Sequence, residues 1–470
     1  MMARVGGMVL LVLVLGDAAA LADENSDLDL IPDAATQPQP PAADASAAAA
    51  PNQRIYLENA FTGTARRGDL PVPFPPPKPS TWQERLFLDA RKQWALGDRA
   101  NVTFSDRFNL RAQDNIDFPG HENTINDFRE GYVSWEALDR TYLDAGRINL
   151  KSGVAVGFNP TDFFRTRAVV DPLSVDPTVL REDRLGTLMG LGERIWQGGT
   201  LTVAAAPKVD NPTPVYRNTG LRSFDPSFDR TNAHDRFLVK TSADVAPDFA
   251  PELLVYHEVN RTSVGANLTE SIGQKTVAYV EWAGGNRASL IDDALRYGRR
   301  TGTLPANAPS ALPEDSSVHF QNQLSVGASY TTESKITFNL EYHFNQAGFS
   351  RRDWDNWFRI GGAPGAASSV PAQLWYVRSY AAEQQDPLTE HSLFLRADWV
   401  DAFIPRLELT GFINMDLYDG SSLVQVTADY YLSNAWTVGG LMIADVGGKR
   451  SDFGSLPQST SVLLKLARYF

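Results

Sequence analysis

Apolar and polar residues alternate through much of the chain, most clearly between Val318 and Phe344. Apolar residues take almost every second position from Val318 to Tyr330 and again from Ile336 to Phe344, on either side of the polar turn TTES. A period of two places the two sets of residues on opposite faces of a β-strand. Each segment approaches the ~9–11 residues that cross a bilayer in a tilted barrel strand. The pattern therefore predicts two transmembrane strands joined by a tight turn.

Other segments repeat this alternation. Apolar residues alternate with polar ones near Asn101–Arg111, where Asp106 interrupts the apolar face, and in four later segments: Leu393–Trp399, Leu407–Leu417, Val424–Leu432 and Trp436–Ala444. Aromatic residues close several apolar faces, as the interfacial girdles of a membrane barrel do; these are Tyr330, Trp399, Tyr430 and Trp436. An all-β transmembrane antiparallel barrel is the fold class that this pattern favours.

The predicted connections differ in length. The turns TTES and Ser433-Asn434 are short, whereas Gly284–Ser317 and Ser350–Pro371 are long. In outer-membrane barrels short turns face the periplasm and long loops face outside. Gly284–Ser317 also contains a candidate helix at Ala288–Tyr297, and the sequence leaves open whether this loop folds inward or covers the barrel.

The chain ends with an alternating segment and a terminal aromatic residue, Ser461–Phe470. This segment resembles the C-terminal signature that the barrel-assembly machinery reads in outer-membrane proteins, with Phe470 as the assembly signal, although Arg468 departs from it. A closed barrel leaves no strand edge in lipid, so we expect this strand to pair with the first one, near Asn101–Arg111. Arg468 and Asp106 should then lie at the membrane interface or touch each other.

The N-terminus is predicted to be a secretory signal peptide, residues 1–22. One basic residue, Arg4, precedes an apolar run from Met8 to Leu15, and Ala20 and Ala22 satisfy the small-residue rule for cleavage. The apolar run is too short to span a membrane as a helix, which needs ~20 residues. The chain is therefore predicted to be exported.

Residues 23–80 are rich in proline and alanine, which predicts a disordered periplasmic linker. We expect a short amphipathic helix at Trp82–Trp94 and assign 81–470 to the barrel. The linker is also a candidate contact for a periplasmic partner.

Composition narrows the possible functions. The chain has no cysteine, which excludes a lipid-anchoring cysteine, disulfides and thiolate metal sites. The formal net charge of −13 argues against nucleic acid as a partner. Any attachment to membrane lipid must come from the fold itself.

The segment between Asp144 and Pro207 carries a second resemblance. Its Gly146-Arg147 and Asn159-Pro160-Thr161-Asp162-Phe163-Phe164 resemble a segment of a family of porin-like Gram-negative outer-membrane barrels, which implies a barrel and transport but no substrate. A loop folded into the lumen would place charged residues around a constriction. The candidates are Asp162, Arg165, Arg167, Arg181, Asp183 and Arg184. A salt-bridged structural loop is the alternative.

On the late strands, the alternate positions expected to face the lumen (lumen-phase positions) combine charged residues with aromatic ones. The candidate pore-lining residues are Arg396, Asp398, Glu408, Asp416, Tyr418, Asp429 and Tyr431. Such a surface suits saccharides, although ordinary interior packing would also account for it.

We predict no enzyme activity, metal or cofactor. Glu390-His391-Ser392 contains triad residue types, but neighbours on a strand point to opposite faces and cannot converge. His319 and His343 could both face the lumen, yet they lack a third metal ligand.

The sequence thus predicts a barrel of about 16 strands, in the range of roughly 14–18, in the cell outer membrane. The favoured function is a porin-like channel for polar solutes, with saccharides as leading candidates. The alternative is the outer-membrane conduit of an envelope export complex for a polysaccharide or another polymer, whose N-terminal linker contacts a periplasmic partner.

Overall fold

The computed structural model describes residues 53–470, except 77, 116–122, 171–172, 215–224, 247–248, 308 and 315–316. The predicted signal peptide and most of the predicted linker lie outside the described residues. Within them, no helix is long and apolar enough to cross a membrane.

The described chain forms one closed antiparallel sheet of 18 strands. In chain order the strands are β1 (Gln53–Arg66), β2 (Trp82–Ala95), β3 (Ala100–Gln113), β4 (Thr124–Leu138), β5 (Thr141–Ile148), β6 (Thr187–Trp196), β7 (Gly199–Ala206), β8 (Arg236–Ala243), β9 (Glu252–Glu258), β10 (Arg261–Ile272), β11 (Thr276–Arg287), β12 (His319–Thr331), β13 (Ile336–Asn345), β14 (His391–Trp399), β15 (Leu407–Asp416), β16 (Ser422–Ser433), β17 (Trp436–Val446) and β18 (Gln458–Tyr469). Each strand pairs with its neighbours in sequence, and β1 pairs with β18 to close the barrel. The predicted fold class is confirmed, with 18 strands rather than about 16.

Alternation decides which side chains face outward. Leu340, Leu395, Val426 and Leu464 are exposed on the outer wall, whereas their polar neighbours in the strands turn inward. Such a belt of apolar side chains on a closed barrel is the surface that meets lipid.

The first strand lies inside the segment predicted to be a linker, so that assignment is wrong for residues 53–66. β1 carries polar or small residues on both faces, such as Glu58 inside and Asn59 and Gly63 outside, which weakens its alternation. The proline run at 71–79 lies in the connection between β1 and β2. A proline-rich loop therefore concealed the strand before it.

The helix predicted at Trp82–Trp94 is also wrong, because this segment is strand β2. Leu86 and Leu88 face outward while Arg85 and Asp89 are buried inside. Phe87 faces inward, where the guanidinium of Arg107 lies 5.0 Å from its ring centroid. Because the apolar Phe87 occupies an inward position, the alternation of apolar and polar residues along β2 is irregular in the sequence.

The closing strand pairs with β1 and not with Asn101–Arg111, with Leu57 opposite Arg468. β1 and β2 separate Arg468 from Asp106, so the two charges do not meet. Arg468 lies over the rings of Trp436 and Phe470, and Asp106 accepts a hydrogen bond of 2.9 Å from Asn126.

The two ends of the barrel differ as predicted. Short connections such as 332–335 and 434–435 lie at the end that carries Gln53 and Phe470, which we call the turn end. Long connections lie at the other end, the loop end, and contain α1 (Pro177–Glu182), α2 (Phe228–Thr231), α3 (Leu290–Thr301), α4 (Arg351–Gly361) and α5 (Ser369–Gln384).

Helices α3, α4 and α5 pack together at the loop end and are called the cap. The predicted helix at Ala288–Tyr297 corresponds to α3. Leu295, Trp357 and Leu374 are fully buried in the apolar core of the cap. The guanidinium of Arg378 lies 5.3–5.5 Å from three tryptophan rings and 2.6 Å from Asp452. The cap is therefore a packed unit rather than a set of loose loops.

Candidate functional site

The connection between β5 and β6, residues 149–186, enters the barrel and is called the crossing loop. One of its anchors is Glu281 on β11, a fully buried carboxylate. The backbone N–H groups of Val154 and Ala155 donate to Glu281 at 2.9 and 3.1 Å. Hydrogen bonds to a charged group are stronger than neutral ones, so this carboxylate fixes the incoming chain to the wall.

A second buried carboxylate, Glu341 on β13, holds the next two residues. Val156 and Gly157 donate their N–H groups to it at 2.6 and 2.9 Å. At Gly157 a Cβ atom would lie 2.6–2.8 Å from the rings of Phe394 and His343. Only glycine lets the loop approach the wall so closely.

The segment Asn159-Pro160-Thr161-Asp162 forms a turn that returns to Glu281. Thr161 donates both its N–H, at 2.7 Å, and its hydroxyl, at 2.9 Å, to this carboxylate. Asp162 is buried and accepts two hydrogen bonds from Arg184, at 2.7 and 3.1 Å. The Asp162–Arg184 pair joins the two legs of the crossing loop.

Beyond the turn, the loop contacts the cap. Arg165 lies 2.6 Å from Asp386, which follows α5, and the same carboxylate lies 3.0 Å from Arg287. Arg167 donates its N–H to the carbonyl of Glu383 at 2.6 Å. Burial alone would raise the pKa of Asp386, but Arg287 and Arg165 hold it below its usual value.

Helix α1 bridges two distant parts of the wall. Asp176 caps its N-terminus and pairs with Arg396 on β14 at 3.0 Å. Asp183 follows its C-terminus and pairs with Arg107 on β3 and Arg129 on β4, at 2.8 and 2.9 Å. β14 and β3 are seven strand positions apart in an 18-stranded barrel, so they face each other across the lumen.

The arginines that bind Asp183 also bind a wall carboxylate. Arg107 and Arg129 lie 2.8 and 2.7 Å from Asp89, which is fully buried on β2. Burial would raise the pKa of Asp183, but Arg107 and Arg129 lower it below the usual value. This four-residue network keeps the C-terminal side of α1 charged and fixed.

Most of the loop residues predicted to surround a constriction make buried contacts that hold the loop in place. Asp162, Arg165, Arg167 and Arg184 are buried. Arg181 and Asp183 are partly exposed toward the lumen, as is the rest of α1, which has no buried residue. Of the crossing loop, α1 and its flanks are therefore the part left partly exposed.

The predicted residues of the late strands divide by position. Arg396, Asp398, Glu408, Asp429 and Tyr431 face the lumen. Asp416 is fully buried at the loop end of β15. Tyr418 lies beyond that strand, where its ring packs against His391 and the cap rather than along the lumen wall.

The wall residues that hold the crossing loop were not predicted from the sequence. These are Asp89, Arg107, Arg129, Glu281 and Glu341. Each is a charged residue at a lumen-phase position of a strand, which was the available signal. Many other polar residues also occupy lumen-facing positions, so the alternation could not distinguish these five residues from the rest.

Arginines and carboxylates predominate on different parts of the lumen wall, although each part carries both. Arg54, Arg91, Arg107 and Arg129 lie on β1–β4. Carboxylates predominate on β14–β16, where Asp398 contacts Arg396, Glu408 accepts a hydrogen bond from Tyr431 at 2.7 Å, and Asp429 lies 2.9 Å from Lys465.

The described histidines lie apart from one another or bind other side chains. His343 is buried and bonded to Glu341 at 2.7 Å, whereas His319 is exposed at the start of β12. Among the described residues, no group of three or more His, Asp or Glu side chains could hold a metal ion. His391 contacts Tyr342 on the outer wall, while Ser392 is buried on the other face of β14.

The lowered pKa values of Asp183 and Asp386 lead to a pH prediction. Their stabilisation of the crossing loop is complete above the usual Asp pKa of about 3.9 and is lost as the pH falls through the lower folded-state values. We expect the ion pairs of Asp183 and Asp386 to hold the crossing loop from about pH 7 to about pH 5, so that their loss makes any ion current through the barrel, corrected for bulk conductivity, larger or unstable only below about pH 4. Bilayer recordings across this range check it, and a rise already near neutral pH would contradict it.

No family model matches the chain, and no curated protein matches it. Similar solved structures include OccAB1 of Acinetobacter baumannii, with 8% identity, a TM-score of 0.50 and coverage of 89% of this chain and 96% of that one. OccK5 (OpdH) of Pseudomonas aeruginosa has 9% identity, a TM-score of 0.49 and coverage of 89% and 97%. OprB of Pseudomonas putida has 9% identity, a TM-score of 0.45 and coverage of 89% and 94%.

At these identities the likeness to OccAB1 concerns the fold alone. The closed barrel with its apolar outer wall has the architecture of bacterial outer-membrane proteins, and the cell outer membrane is its location. The family resemblance of the 144–207 segment stays a prediction.

Proposed function

We propose that this protein is an outer-membrane channel for small polar solutes and that the crossing loop forms its constriction. An 18-stranded barrel is too wide for wall side chains alone to fill. The observation that carries the proposal is the span of α1, which is ion-paired to β14 at one end and to β3 and β4 at the other. Solutes would pass beside this partly exposed helix.

The charges around α1 support a preference for polar solutes. Arginines on β1–β4 and carboxylates on β14–β16 would set up an electric field across the path. Such a field orients water and dipolar solutes and disfavours apolar ones, which gain nothing from it.

Saccharides are the leading candidates among polar solutes. The wall at the turn end combines rings with hydrogen-bonding groups: Tyr56 stacks on Tyr469 with a centroid distance of 5.2 Å, and Tyr431 bonds to Glu408. A sugar can stack on a ring and form hydrogen bonds around its edge.

The terminal residue has a proposed role in assembly. Phe470 donates its N–H to the carbonyl of Ile55 at 2.9 Å, and we propose that the assembly machinery reads Phe470 before the barrel closes.

The export-conduit alternative is less well supported. A helix across the lumen and a packed cap at the loop end leave less room for a polymer than for a small solute. The predicted partner of residues 23–80 would bind mainly through residues that lie outside the described part of the chain.

Planar-bilayer recording of the purified full-length chain tests the proposal. We expect a steady ion current that uncharged saccharides reduce in a concentration-dependent way. In Tyr431→Phe, which lacks the hydroxyl bonded to Glu408, the ion current should be unchanged and the block weaker. A chain that folds and inserts but conducts no ions would contradict the channel, whereas current without block would contradict only the saccharide preference.

A further inference from the structure

The connection between β14 and β15, residues 400–406, differs from the short polar connections beside it. Phe403 is 78% exposed at its tip, followed by the half-exposed Ile404. The connection is nevertheless well ordered by hydrogen bonds: Ala402 donates to the carbonyl of Leu407 at 2.7 Å, and Arg406 donates its N–H to Asp401 at 2.9 Å. An ordered turn therefore displays two apolar side chains at the turn end.

The backbone of this turn adopts a conformation that glycine would favour. The φ angles of Asp401, Phe403 and Arg406 are 56°, 59° and 69°. Left-handed φ values are uncommon for residues other than glycine and are outliers for bulky ones. A phenylalanine at such a position suggests that its side chain provides something a glycine would not.

The ring of Phe403 continues the lipid-facing wall. It packs on Trp399, with centroids 4.5 Å apart, and Trp399 belongs to the outward face of β14. Trp399 lies in the turn-end girdle with Tyr330, Tyr430 and Trp436. Phe403 therefore extends this girdle by one ring, which places it at the depth of the lipid headgroups rather than over the lumen.

Two cations flank the apolar tip. Arg406 is exposed, and Lys335 from the neighbouring turn lies 2.5 Å from Asp401. Cationic side chains beside apolar ones match the phosphate and acyl layers of a phospholipid surface.

We infer that Phe403 and Ile404 insert into the phospholipid leaflet at the turn end and anchor the barrel there. The occupant of this surface is lipid, because the tip is continuous with the wall that already faces lipid. The inference does not depend on the channel proposal, since it concerns the outer surface only. A soluble protein bound to the same tip is the competing outcome.

Spin labelling tests this directly, because the chain has no cysteine and one introduced thiol gives one labelled site. Phe403→Cys is labelled with a nitroxide in vesicles of phosphatidylethanolamine and phosphatidylglycerol. We expect more frequent collisions with oxygen, which concentrates in lipid, than with a water-soluble nickel chelate. A label on Ile404→Cys should show the same preference for oxygen. If Phe403→Cys does not fold, the label on Ile404→Cys tests the inference by the same comparison.

Glu333→Cys is the matched control in the neighbouring turn, where the Glu333 side chain is 89% exposed. Its label should collide mainly with the nickel chelate. If the label at 403 is as accessible to the chelate as the label at 333, lipid insertion is overturned and the tip is free for a protein partner.

Discussion

Replacing Glu281 with alanine should release the crossing loop from the wall and enlarge the path through the barrel. Three backbone N–H groups and two side chains donate to this one carboxylate: Val154, Ala155, Asn159 and Thr161, the last through both its N–H and its hydroxyl. Alanine leaves all these donors without their acceptor. We expect a larger single-channel conductance with frequent transitions between current levels.

The expected effect is large because the carboxylate is fully buried. Each hydrogen bond to a charged group contributes about 1.5–3 kcal/mol. A loss of about 3 kcal/mol in local stability, which allows for partial recovery by water, would raise the population of the released loop roughly a hundredfold. The barrel itself should stay folded, since the strand pairing of β11 does not involve this side chain.

Glu193→Ala is the matched control. Glu193 is also a lumen-phase carboxylate, but it accepts a hydrogen bond from Thr202 on the wall and not from the crossing loop. Its removal should leave the conductance steady. Equal, unchanged conductance in both variants would mean that Glu281 does not hold the constriction.

The late strands were predictable because one strong physical signal defines them. These strands have lipid on one side and a polar lumen on the other, which imposes a period of two on their residues. From β12 to β18 the outward-facing positions are accordingly almost all apolar. The same signal failed at β1 and β2. There Asn59 and Glu84 face outward and bond to each other at 3.4 Å, while Phe87 faces inward.

The candidate site was predictable only in part. The 144–207 segment predicted a loop folded into the lumen, and the loop is ion-paired to lumen-facing wall residues, while its role as a constriction stays a proposal. Their individual roles could not be predicted, because each depends on a partner far away in sequence: Arg165 on Asp386, and Asp183 on Arg107. Alternation identifies the face of a strand but not the loop that will dock on it.

Covalent modification of α1 should block the channel. Leu180 lies on this helix, is half-exposed and belongs to none of the apolar clusters. A bulky charged group attached there would occupy the space that the proposed path requires. The absence of cysteine again makes one introduced thiol the only target. We expect Leu180→Cys to lose most of its current with such a reagent.

The most direct measurement is therefore the bilayer current of Leu180→Cys during treatment with a bulky, membrane-impermeant methanethiosulfonate. Leu395→Cys, with its thiol on the lipid-facing wall, is the control that should keep its current. If α1 borders the path, the current of Leu180→Cys falls as the thiol reacts and returns on reduction. Complete labelling of Leu180→Cys with an unchanged current would contradict the account.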